Sequence, residues 1–139
     1  MYTKNHPNSQ QGTPMKRDLE LVRTILLEAE QIDPANPHLP ASHFENVEPA
    51  VLGEHFRLMH EKDLIVAHWI SVNSGVIHPQ SISRVKNEGH DFLEAIRNDS
   101  VWKKTLNKIG GTTGAATLEL TKAIALHFLR EQLGIGSSE

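Results

Sequence analysis

The sequence contains no cysteine, so it has neither a disulfide framework nor a thiolate metal site. That absence suits a reducing cytoplasm, which is the expected location. No apolar run is long enough to span a bilayer, and no charged-then-apolar leader of signal-peptide type occurs, so no membrane association is expected. Positive charge is not in excess either. Lys and Arg number 14 against 17 Asp and Glu, a formal net charge of −3, with a pI near 6.3. This balance argues mildly against tight nonspecific binding to nucleic acid, although a local basic patch is compatible with it.

What is present suffices for one domain: 139 residues can bury a real core. Residues 1–14 are polar, carry two prolines and show no apolar period, which reads as a disordered arm. Met15-Lys16-Arg17-Asp18 looks like a second translation start, so the arm is expected to be dispensable and the domain to occupy 15–139. From Asp18 to Gln31, the residues Leu19, Val22, Ile25, Leu26 and Ala29 share one face. That spacing predicts a helix with Asp18 as its cap. Three prolines between Ile32 and Asn46 exclude helix there. They predict a connector holding a short edge strand or a helical turn near His43-Phe44.

The chain is organised around the stretch from Val47 to Ile70. Leu52, Phe56 and Met59 fall three and four apart, which predicts an amphipathic helix with those side chains inward. Asn46 is the expected cap and Pro49 belongs to the first turn. The helix must end near Lys62, because Leu64-Ile65 begins an extended segment. Gly53 in its interior costs about 1 kcal/mol relative to alanine, and a close backbone approach would account for it. Leu64 to Val72 reads as a strand and Asn73-Ser74-Gly75 as a turn. Val76-Ile77 with Ile82 to Val85 is the returning strand, Pro79 marking an edge or a delayed start. A hairpin after such a helix is a wing. The expected fold is mainly α with a small antiparallel β-hairpin, a winged helix-turn-helix with extra C-terminal helices.

Asn87 is the expected cap of the next helix, through Arg97, with Phe92, Leu93 and Ile96 inward. Asp99-Ser100 recaps the chain for a helix over Val101 to Ile109, which Gly110-Gly111 stops; its Trp102 is expected beneath the last helix. That last helix starts at Thr112 or Thr113 and runs to Leu133, so residues of about 100–133 form a C-terminal helical extension. Its apolar residues cover more circumference than one core-facing stripe requires. The wide face predicts a homodimer contact through Leu126 and Leu129.

Two segments resemble known families. Gly53, His55, Phe56, Met59, Asp63, Leu64 and Ile65 stand where small winged-helix repressors of the arsenic-repressor type have Ser-x-His-Leu-x-x-Leu-x-x-x-Gly-Leu-Val. Gly53 replaces the serine and Asp63 the turn glycine. The span Met15 to Leu133 resembles the bacterial and phage domain-of-unknown-function family numbered 2513. The matches are Met15-Lys16-Arg17-Asp18, Leu21, Arg23, Ile25, Leu26, Leu27 and Glu30, then His55, Leu58 and Met59. Gly89-His90, Phe92-Leu93, Ala95-Ile96-Arg97, Asp99 and Trp102 complete them. Val85-Lys86 departs from the family's Leu-Thr. The resemblance implies a winged-helix-like fold in a mobile-element or regulatory context, and no established activity.

Neither catalytic nor metal-binding residues emerge, and no cofactor is expected. His55 and His60 are five apart, about 140° around a helix, and cannot share a metal. His90-Asp91 is one dipeptide of the several ligands that an HD-type phosphohydrolase needs. Gly110-Gly111-Thr112-Thr113-Gly114 lacks the strand and the Lys-Ser/Thr of a phosphate loop. The remaining reading is a transcriptional regulator binding duplex DNA, its central helix in the major groove and its wing on the backbone. Arg57 and His60 on the helix, His68, Asn73 and Ser74 on the wing, and Arg84 and Lys86 beyond it are the candidates. The alternative is a module that uses the same fold to dock a protein partner.

Overall fold

The computed structural model describes residues 15–111 and 116–134. The arm expected at 1–14 and the helix start expected at Thr112 or Thr113 lie outside them. Helix α1 (Leu19–Ala29) begins as the sequence predicts, the Asp18 side chain accepting the N–H groups of Glu20 and Leu21. The proline-rich connector then forms a two-residue strand β1 (Leu39–Pro40) and one 3-10 turn (Ala41–His43). Helix α2 (Pro49–Glu61) starts from Glu48, not Asn46, and no side chain caps it. Proline at its first position removes one donor that would otherwise need a partner. Strands β2 (Ile65–Ser71) and β3 (Ile77–Val85) make the hairpin. Helices α3 (Asn87–Ile96), α4 (Asp99–Ile109) and α5 (Leu118–Leu133) follow.

The fold is mainly helical with a small antiparallel sheet of three strands, ordered β1-β3-β2. It has one strand more than the expected hairpin. Pro79 does not interrupt β3, because β1 pairs only with Ile82 and Ser81. Pro79 stands opposite Trp69 of β2, and on its other side β1 does not reach it among the described residues, so the missing donor is tolerated there. Two register shifts in the β2–β3 ladder, flanking Ala67-His68, absorb the extra residues of β3.

Leu52, Phe56 and Met59 are buried together with Leu19, Ile25, Leu26, Ile65, Ile82, Phe92 and Leu93. Gly53 is explained by a close approach. A Cβ there would sit 2.5 Å from the Ile77 carbonyl oxygen, at the start of β3. Asp63, between α2 and β2, has a φ of 61°, the conformation a glycine takes most easily and an aspartate tolerates. Lys86 bonds to its carboxylate and holds it below the usual carboxylate range.

The caps around α3 and α4 differ from expectation by one residue. Asn87 is the first residue of α3 rather than its cap, and Lys86 at the cap offers no side-chain bond. Asn98 caps α4 by accepting the Val101 N–H, and Gly110 ends it with a φ of 88°. Thr117 caps α5 by accepting the Leu120 N–H. The segment expected as an extension shares the one core, through Val101, Trp102, Leu118 and Ala125. Leu126, Phe128 and Leu129 also pack against that core and are half-buried.

A polar clamp joins α1 to the α3–α4 junction. The Arg23 guanidinium donates to the Ile96 carbonyl at 2.7 Å and to Asp99 at 2.8 Å, and lies 5.7 Å from the Trp102 ring centroid. Trp102 is buried, as expected, but its indole N–H donates to Glu20 of α1 at 3.2 Å. Arg97 grips both oxygens of Glu30, one at 2.9 Å. The hydrogen bonds from Arg97, with its charge, hold the Glu30 carboxyl below the ordinary value, and raise the Arg97 guanidinium above its own.

A depressed folded-state pKa stabilises the fold above the ordinary glutamate range and is lost as pH falls through the folded value. Glu30→Gln should therefore cost at most about 1 kcal/mol at neutral pH, since both side chains are partly solvated. The gap to the parent should close as pH drops below about 4. Urea midpoints at neutral and acid pH test this; a gap independent of pH would show that the pair's charge contributes nothing.

Candidate nucleic-acid interface

His55, which resembles a repressor signature residue, is wholly buried and structural. Its Nε2 accepts the Asp18 N–H at 2.9 Å, so its Nδ1 carries the proton shared with the Val51 carbonyl at 2.9 Å. The imidazole ties the start of α1 to α2.

Arg57 does not stand free on α2. Its guanidinium donates to Glu54 at 2.7 Å and to Glu61 at 2.8 Å. The bonds to Glu54, then the neighbouring carboxylate charges, raise its pKa. Reading a guanine would require it to leave two carboxylates that then face the phosphates. His60 is turned toward the sheet: its Nδ1 accepts the Ala67 N–H at 3.2 Å and its ring meets Trp69 edge-on at 5.1 Å. The Arg57–His60 pair expected to enter a groove is thus occupied by intramolecular contacts.

The hairpin candidates are placed differently. His68 is exposed on the outer face of β2, its Nε2 3.3 Å from Ser83 Oγ. Asn73 and Ser74 are exposed at the turn, and Arg84 is exposed near the end of β3. Lys86 is engaged by Asp63 at 2.9 Å. His78, opposite Ile70 in the ladder, is exposed beside them. From Leu64 to Asn87 the chain carries no carboxylate at all. This acid-free stretch in an acidic protein was visible in the sequence, and reading the helix for base contacts passed it by. Three large apolar side chains, Ile70, Val72 and Val76, are also exposed near the hairpin tip.

Among the described helices none is long and apolar enough to cross a membrane. The geometry defines a small helical domain presenting an acid-free β-hairpin. By sequence the chain belongs to the family of hypothetical proteins DUF2513, whose profile matches residues 16–115. An uncharacterized protein of Haemophilus influenzae (strain ATCC 51907 / DSM 11121 / KW20 / Rd) is 30% identical over 121 residues, covering 86% of this chain and 99% of its own. No solved structure matches the chain.

The matching residues now have physical roles. Arg23, Glu30, Arg97, Asp99 and Trp102 are the clamp, His55 is the tie between α1 and α2, and Phe92, Leu93 and Ile96 are core. Most of the resemblance is therefore accounted for by folding.

Proposed function

We propose that this chain is a winged-helix regulator that binds duplex DNA, with the hairpin rather than α2 making the principal contact. The observation that carries the reading is the acid-free hairpin with exposed Arg84, His68 and His78. The element order supports it: a helix, short strand, helical turn and helix precede a hairpin, with sheet order β1-β3-β2, so the hairpin follows α2 as a wing would. Contacts of this kind go to phosphates and position more than they specify.

Fluorescence anisotropy with a random-sequence duplex at rising salt tests it. Binding should weaken with salt, Arg84→Ala should flatten the dependence by about one unit, and Arg57→Ala should leave it unchanged. No binding at low salt and tens of micromolar protein would end the DNA reading.

The exposed Ile70, Val72 and Val76, 38–50% accessible, favour a second reading in which the hairpin tip docks a protein. A homodimer through α5 would use Leu120, which is exposed, more readily than Leu126 and Leu129.

A further inference from the structure

A groove of about 470 Å3 lies between the end of α1, the connector and the base of β3. Ile32, Pro34, Pro37 and Val85 give it apolar walls, and Arg84 and His90 give it polar groups. Glu30 also lines it, its charge paired with Arg97 through both oxygens and also felt by His90. Neither Arg84 nor His90 has a side-chain ion-pair partner among the described residues, and both are exposed. In the Gly89-His90 pair, the glycine is required by packing, whereas the histidine is exposed and faces the groove.

We propose that this groove binds a small organic carboxylate with an apolar body. A guanidinium fork and an imidazole N–H meet a carboxylate with charge-assisted hydrogen bonds. Proline and isoleucine walls take an aromatic or aliphatic body, and the volume lies within the usual range for small-molecule sites. A neutral apolar ligand would desolvate Arg84 without giving it a partner. A purely polar anion would leave the apolar walls unused. Because Arg84 also belongs to the proposed DNA face, carboxylate and duplex would compete for it. That competition rests on the DNA reading; the binding itself does not.

The test uses the full chain without DNA. Benzoate, hexanoate and the neutral benzamide are titrated while backbone amide shifts are followed. Both carboxylates should shift residues 30–37, 83–85 and His90, and benzamide should bind at least about tenfold more weakly than benzoate. His90→Ala and Arg84→Gln should each weaken benzoate about tenfold. Their melting temperatures should stay at the parent value, since both side chains are exposed. The proposal fails if neither carboxylate shifts these residues by about 20 mM. It fails equally if benzamide matches benzoate, or if the folded variants bind like the parent.

Discussion

Gly89→Ala should lower stability by about 4 kcal/mol or more, at the extreme of single substitutions. Inside a helix the same change ordinarily stabilises by up to about 1 kcal/mol, so the sign itself is diagnostic. The cause is backbone against backbone. A Cβ at this position would lie 2.8 Å from a Val85 methyl and nearer still to the Leu64 carbonyl oxygen. That oxygen already accepts the Lys86 N–H at 2.9 Å. To admit a methyl group, α3 must move off the root of the hairpin and strain or break this bond, leaving buried polar groups without partners. Urea denaturation beside an Asp91→Ala control, an exposed site on the same helix, makes the comparison. A Gly89→Ala variant as stable as the parent would mean that α3 does not rest on Leu64.

Phe56→Ala should cost roughly 3–5 kcal/mol. Phe56 has no exposed surface and meets Phe44 edge-to-face, ring centroids 6.2 Å apart. Truncation removes apolar burial and leaves a cavity beside Phe44, which a rigid core fills only in part. Phe56→Leu should recover more than half of the loss. Calorimetric melting separates the outcomes: a cost under about 1 kcal/mol would put this side chain outside the core.

The apolar periods carried most of the architecture. Leu19 to Ala29, Leu52 to Met59 and the Leu64–Val85 hairpin were readable because burial follows helical or strand spacing. Caps were less readable. Asn46 and Asn87 have the chemistry of caps, but Pro49 and the Lys86–Leu64 bond set where those helices begin. Strand β1 could not be located closely, because two residues carry no period of their own. At the candidate site, the neutralisation of Arg57 was present in the spacing: Glu54 three residues before and Glu61 four after are helical ion-pair partners. The turning of His60 toward the sheet was not, since its bond to Ala67 crosses a turn that sequence distance does not resolve. Leu126 and Leu129 show the same limit, as apolar circumference alone does not say which neighbours enclose a helix.

The sheet order also constrains the sequence of assembly. The hairpin closes over one short turn, a local event on the microsecond scale. Among the described residues strand β1 pairs with β3 alone, so that pairing cannot form until the chain has travelled through α2 and the whole hairpin. It must then bear the entropy of closing that long loop for two residues of pairing. The pairing of β1 is therefore expected to follow hairpin closure, the proline-rich segment locking onto a sheet already made.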